Sequence, residues 1–311
     1  MNTKRIQTIK GPVNSDSLGL ILPHEHLFTD LRGPSVADYA RGEPSAVVQV
    51  VRPYLAEASA AGATALVECS TVGVGRNLSV LRSLADATSM HIIAPTGVYR
   101  DAFIPASLRE VSEANLAELW TKELTEGIEG TSIRAGFIKL AMSDDGPTML
   151  EIRNLKAAVR ASQKTGAVIA SHTIGGKVAR KEMDVLEDAG LDLHRFIWIH
   201  AQTEPDVSIL KEAARRGAYV ELDSVGAPHQ SQPELVDTTV ALLEAGYADH
   251  LLLSHDAGWY NPARPDGLPD EGYRGYTALT KLFIPALLER GISEEQVRLI
   301  TVNNPARAFA F

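Results

Sequence analysis

Eight short apolar runs, each followed by an amphipathic segment, recur along this 311-residue chain, and no other feature limits its fold as much. The runs read as strands at 18–22, 63–70, 91–99, 133–141, 166–173, 195–202, 217–224 and 250–258. The segments between them read as helices at 44–61 (interrupted by Pro53), 76–88, 113–126, 148–165, 176–188, 205–215 and 232–244, with two more near 275–290 and 293–309. The runs are apolar throughout rather than alternating, as strands covered on both faces are. Strand and helix alternating in this way is the pattern of a parallel (β/α)8 TIM barrel of the α/β class. A doubly wound open sheet would favour a glycine-rich first loop, and Gly11 and Gly19 lack that spacing. No composition break or low-complexity linker divides the chain, so residues 1–311 are expected to form one domain, with a short N-terminal extension at 1–17.

Charge narrows the partners. Thirty basic residues against 39 acidic ones give a net charge of -9, which speaks against nucleic acid. The first residues carry no apolar core of a signal peptide, and no run approaches the ~20 apolar residues of a membrane span. Cys69 is the single cysteine, so neither an internal disulfide nor a thiolate metal cluster is available. The expectation is a cytoplasmic protein acting on a small molecule, without membrane or nucleic-acid partners; a homodimer is compatible with the sequence.

In a barrel the C-terminal ends of the strands converge on one face. His24-Glu25-His26 follows the first apolar run. On an extended chain the two histidines point one way and Glu25 the other, which makes a chelating pair for a divalent metal. Strand four contributes Lys139, strand five His172, strand six His200 and strand eight Asp256. Four imidazoles and a carboxylate suffice for two divalent ions, with positions left for water and substrate. Lys139 stands inside FIKLA, where a charge is costly unless paired or used. Beside two dications a neutral amine is favoured. It can add CO2, and the resulting carbamate can bridge metals. The competing readings are histidines bonded to backbone and a lysine paired with an acid at the barrel mouth.

As a set, HEH after strand one, the strand-four lysine, single histidines ending strands five and six, and HDAG ending strand eight resemble the phosphotriesterase family of the amidohydrolase superfamily. That family includes the phosphotriesterase-like lactonases. The likeness extends through GRN at 75–77, GVYRDAF at 97–103 and NNPARAF at 303–309. It implies a hydrolase with a binuclear centre: His24, His26 and Asp256 on the more buried metal, His172 and His200 on the more exposed one. Carbamylated Lys139 and a hydroxide would bridge them. Zinc is the expected ion, with manganese, cobalt and iron as alternatives. In that scheme hydroxide attacks a carbonyl or phosphoryl centre, and Asp256 carries the proton to the leaving group. Nucleases of the superfamily resemble this set but carry a glutamate at strand four, and its deaminases carry a His-x-x-Glu that is not seen here.

Two departures bear on substrate. Organophosphate-degrading members carry a relay histidine after the aspartate ending strand seven, and many lactonases an arginine; this chain has Asp223-Ser224. Thr203 stands where an acid is usual. The expectation is therefore a lactonase or esterase with weak phosphotriesterase activity at most. An N-acyl amidohydrolase is the enzymatic alternative, and a metal-holding barrel that binds a ligand without turnover is the non-enzymatic one. The resemblance makes Tyr99 a substrate contact. Ser224, His229 in GAPH, and Trp259, Tyr260 and Arg264 are the further candidates, the last three in a Gly- and Pro-rich segment, 257–275, read as a lid. His91, His194 and His250 lie at the opposite strand ends and read as structural, and His255 is expected to face the helices. Cys69 reads as a small buried apolar residue. Gly175-Gly176-Lys177 offers a helix start that could hold an anion.

Overall fold

The structure is a computed structural model and describes residues 4–311. It opens with an antiparallel hairpin, β1 (Arg5–Thr8) and β2 (Gly11–Asn14), pairing Arg5 with Asn14 and Thr8 with Gly11. The barrel strands follow: β3 (Leu20–Phe28), β4 (Ala63–Glu68), a third position divided into β5 (His91–Ile93) and β6 (Pro95–Val98), β7 (Phe137–Ala141), β8 (Ile169–His172), β9 (Phe196–Ile199), β10 (Tyr219–Leu222) and β11 (Leu251–Leu253). All of them pair in parallel with their neighbours. β5 pairs with β4 and β6 with β7, so the third position joins two arcs across Ala94. The ring closes where the Asp256 N–H donates to the His24 carbonyl at 3.2 Å and the His26 N–H to Ala257 at 3.0 Å. A further short strand, β12 (Gly258–Tyr260), lies parallel to the end of β3.

Strand parity sorts the apolar side chains into two layers. Leu22, Leu66, Ile138, Leu140, Trp198, Val220 and Leu222 face outward, against helices such as Pro44–Ala60 and Met149–Thr165. Ile21, Val67, Ala170, Ile197 and Leu252 face inward. Both faces are covered, which is why the runs are unbroken in sequence. Lys139 and Glu221 have outward-facing neighbours on both sides and therefore project into the barrel. Within the N-terminal extension the hairpin at 5–14 lies against the barrel floor: Ile6 packs in the inner layer with Phe137 and Phe309.

Helices begin and end on local signals. Thr148 and Glu151 form a capping box for Met149–Thr165, and Gly166, at φ 90°, ends it. Helix Pro44–Ala60 runs through Pro53, contrary to the expected interruption, because that proline sits on the solvent side. The two closing helical segments each contain a π-turn, Leu279–Phe283 and Leu299–Asn303. Among the described residues no helix is long and apolar enough to cross a membrane.

One buried acid behind β8 has a consequence for stability. Glu182, in helix Gly176–Asp188, accepts from Thr173, while its Oε1 has no partner among the described residues. Burial pushes its carboxyl up to about 8. In the unfolded chain it titrates near ~4.3. Between these values the folded protein holds the extra proton, so the group's stabilising contribution is complete below the lower value and is lost as pH rises through the upper one. Glu182→Gln should therefore gain on the parent across this window, by about 1.4 kcal/mol per pH unit at most. Urea unfolding at pH 5, 6, 7 and 8 measures it; parallel profiles for the two proteins would mean that Glu182 is ionised in the fold.

Candidate active site

The polar strand ends do converge. His24 and His26 lie within β3 rather than after it, and their ring centroids are 5.4 Å apart. A register shift between Leu22 and Glu25 accompanies them. The rings of His24 and His200 are 5.1 Å apart, and those of His172 and His200 4.5 Å. Asp256 Oδ1 stands 3.1 Å from His26 Nε2 and 3.5 Å from His24 Nε2. His24, His200 and Asp256 each offer an atom within 4.8 Å of the others, a group that could hold a metal ion. Lys139 is 1% exposed, and its Nζ has no hydrogen-bond partner among the described residues. All six residues line one cavity of about 160 Å³, together with Cys69, Tyr99 and Trp259.

Each imidazole is held through Nδ1, which leaves Nε2 as the ligand atom. His24 Nδ1 is 2.9 Å from Glu221 Oε1 and 3.3 Å from Asp223 Oδ2. His200 Nδ1 is 2.8 Å from Asp223 Oδ1, and the His200 N–H donates to Asp223 Oδ2 at 2.8 Å. His26 Nδ1 meets Ser70 Oγ at 2.7 Å, and His172 Nδ1 meets the Tyr99 hydroxyl at 3.2 Å. Burial, helped by the charges of His200 and Lys139, pushes the His172 imidazole well below its usual range, so it is neutral, as a ligand must be. Burial alone would raise the Asp223 and Asp256 carboxyls, but the charge of the adjacent imidazoles holds both far below the carboxylate range and ionised. Against its own burial, the His24 imidazole is pushed well above its usual range, Asp256 and Asp223 among the groups that raise it, so it carries a proton that a metal would displace. Burial pushes the Tyr99 phenol up, so it remains a donor.

His200 (φ 63°) and Asp256 (φ 49°) both occupy the left-handed region, which costs a non-glycine residue about 1–3 kcal/mol. Such strain persists only where the surroundings fix it, and here they do. Glu25 points away from the cavity, as alternation requires. It accepts from Ser254 Oγ at 2.8 Å and from the N–H groups of His255 and Ala257 at 3.1 Å each. Arg274 donates to the carbonyls of His255 and Asp256. His255 faces the helices, where its Nε2 accepts from the Leu279 N–H at 2.9 Å. The donor set fits divalent ions: nitrogen and carboxylate ligands stand around a buried amine with nothing else to bond.

The substrate-contact candidates divide. Tyr99 and Trp259 line the cavity. Beyond it lies an outer cleft of about 750 Å³, whose wall includes His229, Trp259, Tyr273 and Arg274. Ser224, Tyr260 and Arg264 line neither space. Ser224 Oγ accepts from Gln202 Nε2 at 2.7 Å, and the same amide group reaches Asp223 Oδ1 at 2.7 Å. Tyr260 stacks on Phe28 at 6.0 Å, because on β12 it points opposite to Trp259. Arg264 pairs with Asp266 and Asp270 at the surface. The helix start at Gly175 and Gly176 is already filled, its amides donating to Thr203 Oγ1 at 3.0 Å and to Glu204 Oε2 at 2.9 Å. The rings of His194 and His250 lie 5.5 Å apart, tilted by 54°, near the opposite strand ends. Cys69 is buried as expected, although it also faces the cavity.

The chain is similar to known proteins over nearly its whole length. The phosphotriesterase family model matches residues 4–309. A phosphotriesterase homology protein of Mycobacterium tuberculosis is 30% identical over 98% of this chain and 97% of its own length. An N-acetyltaurine hydrolase of Tetraodon nigroviridis is 30% identical over 99% of this chain and 98% of its own. A crystal structure of a PTE-like lactonase mutant from Deinococcus radiodurans superposes with a TM-score of 0.89 at 32% identity, covering 98% of this chain and 99% of that one. Likeness that runs the full length of the barrel makes the chain a metal-dependent hydrolase and a member of the phosphotriesterase family.

Proposed function

We propose that this enzyme hydrolyses a lactone or another carboxylic ester at a pair of divalent ions, zinc first among the candidates. The observation that carries the reading is Lys139, an unpartnered buried amine among four imidazoles and an ionised carboxylate. His24, His26 and Asp256 would hold the deeper ion, His172 and His200 the outer one, and Lys139, as its carbamate, would bridge them. When bound, the ions supply Lewis-acid activation of water and of the substrate's carbonyl oxygen.

The chain's own residues do the rest. Asp256, ionised and a third exposed to the cavity, takes the proton of the attacking water and returns it to the leaving oxygen. Tyr99 stays protonated and presents a hydroxyl beside His172. A cavity of about 160 Å³ admits the reacting group alone, so the remainder of the substrate occupies the outer cleft of about 750 Å³, beside Trp259 and His229. Segment 257–275, which supplies much of that cleft's wall, serves as its lid. An N-acyl amide is the second reading. The N-acetyltaurine hydrolase likeness favours it, and an amide nitrogen would draw on Asp256 in the same way.

Phosphotriesters should be poor substrates. Ser224 is tied to Gln202, so no basic side chain at that position can relay a proton or grip a phosphoryl group. Turnover of a paraoxon-like ester should fall at least ~100-fold below the best carbonyl substrate, roughly 3 kcal/mol in barrier. A panel of lactones, alkyl and aryl esters, N-acyl amino acids and phosphotriesters on metal-reconstituted protein tests both statements. Phosphotriesters ranking first would overturn the ester reading, and bound metal with no turnover would leave a ligand-binding barrel.

A further inference from the structure

Glu221 has no part in the scheme above, yet it stands beneath it. On β10 its neighbours Val220 and Leu222 pack outward, so its side chain projects into the barrel, where it is 0% exposed. Residues of the same layer, Ile197 and Leu252 among them, fill that space with hydrocarbon. One oxygen of Glu221, Oε1, is 2.9 Å from His24 Nδ1. The other, Oε2, has no partner among the described residues. Leaving one oxygen of a buried acid idle costs more than one ordinary hydrogen bond returns. An apolar side chain would therefore serve folding better. Asp223 does not make Glu221 redundant. It already binds both the Nδ1 and the backbone N–H of His200 at 2.8 Å, and it reaches His24 only at 3.3 Å.

We propose that Glu221 is a positioning residue for the metal centre: by accepting the Nδ1 proton of His24 it fixes that ring with Nε2 toward the cavity and makes Nε2 a stronger donor to the deeper ion. It touches neither substrate nor reacting atoms and acts through His24 alone. The inference rests on the metal-site reading above.

The test separates the two contributions. Glu221→Gln keeps an acceptor oxygen on a weaker acceptor, whereas Glu221→Leu removes the acceptor altogether. Zinc affinity is measured by competition with a chromogenic chelator, the visible spectrum is recorded on cobalt-loaded protein, and Tm is taken on metal-free protein. Affinity at one of the two positions should fall ~10-fold in the Gln variant and ~100-fold in the Leu variant, the range that acids behind ligand histidines command. The cobalt spectrum should shift in both, and the metal-free variants should melt no lower than the parent. Two ions bound by the parent, with affinity and cobalt spectrum unchanged in both variants, would overturn the inference alone. A lower metal-free Tm with unchanged affinity would overturn it too and make Glu221 a packing residue. A parent that binds no metal would bring down the metal-site reading and this inference together.

Discussion

Lys139→Ala should leave a folded barrel that holds fewer than two metal ions and turns over its best substrate at least ~1000-fold more slowly, about 4 kcal/mol of barrier. The backbone at this position is set independently of the side chain. Lys139 pairs with Gly97 across β6 and β7, and a Cβ at Gly97 would lie 2.1 Å from the Lys139 carbonyl oxygen, so the two strands meet closely whatever stands at 139. What alanine removes is the arm proposed to reach from the barrel wall to the ions. Formate or acetate supplied with metal should occupy the vacated space and restore part of the activity, as free carboxylates in place of the proposed carbamate. Metal content, far-UV circular dichroism and rescue by carboxylate are the three measurements. Two ions retained, with activity within ~10-fold of the parent, would mean that Lys139 is an ordinary buried ammonium and that the bridge lies elsewhere.

The parts of this molecule legible in sequence are those written in local periodicity. Helices Gly176–Asp188 and Gln232–Glu244 lie where their apolar spacing puts them. The proposed ligands were legible for related reasons: the histidines and Asp256 are polar residues near the ends of apolar runs that the barrel brings together, and Lys139 is a charge inside one. The hairpin at 5–14 was not, because its function as a floor depends on Ile6 meeting Phe309 from the far end of the chain. Nor was β12, three residues that alternation alone could not distinguish from a loop; missing it put Tyr260 on the wrong side of Trp259. Glu25 was seen to point away, but its partners Ser254 and Ala257 lie 229 and 232 positions further on. Glu221 is different. A charge inside YVEL carries the same signal as the charge inside FIKLA, so the test that singled out Lys139 applied equally to Glu221.

Asp256→Asn should separate metal holding from proton transfer. Asparagine suits the left-handed backbone at this position, φ 49°, at least as well as aspartate does. The local frame does not depend on the carboxylate: the Asp256 N–H donates to the His24 carbonyl at 3.2 Å, Glu25 clamps the residues on either side, and Arg274 holds the Asp256 carbonyl. The amide oxygen remains available as a ligand, so much of the metal should stay. What is lost is a group able to accept and return a proton, and Ser224, bound to Gln202, cannot replace it. An alkoxide or amide nitrogen needs that proton as the bond breaks, whereas a nitrophenolate leaves without it. The variant should therefore lose ~100-fold or more on an unactivated lactone or amide, the usual scale of general acid–base help. On a nitrophenyl ester the loss should be distinctly smaller. Both substrates are measured on preparations of verified metal content. Equal losses on the two with metal intact would confine Asp256 to activating the attacking water and remove it from leaving-group protonation.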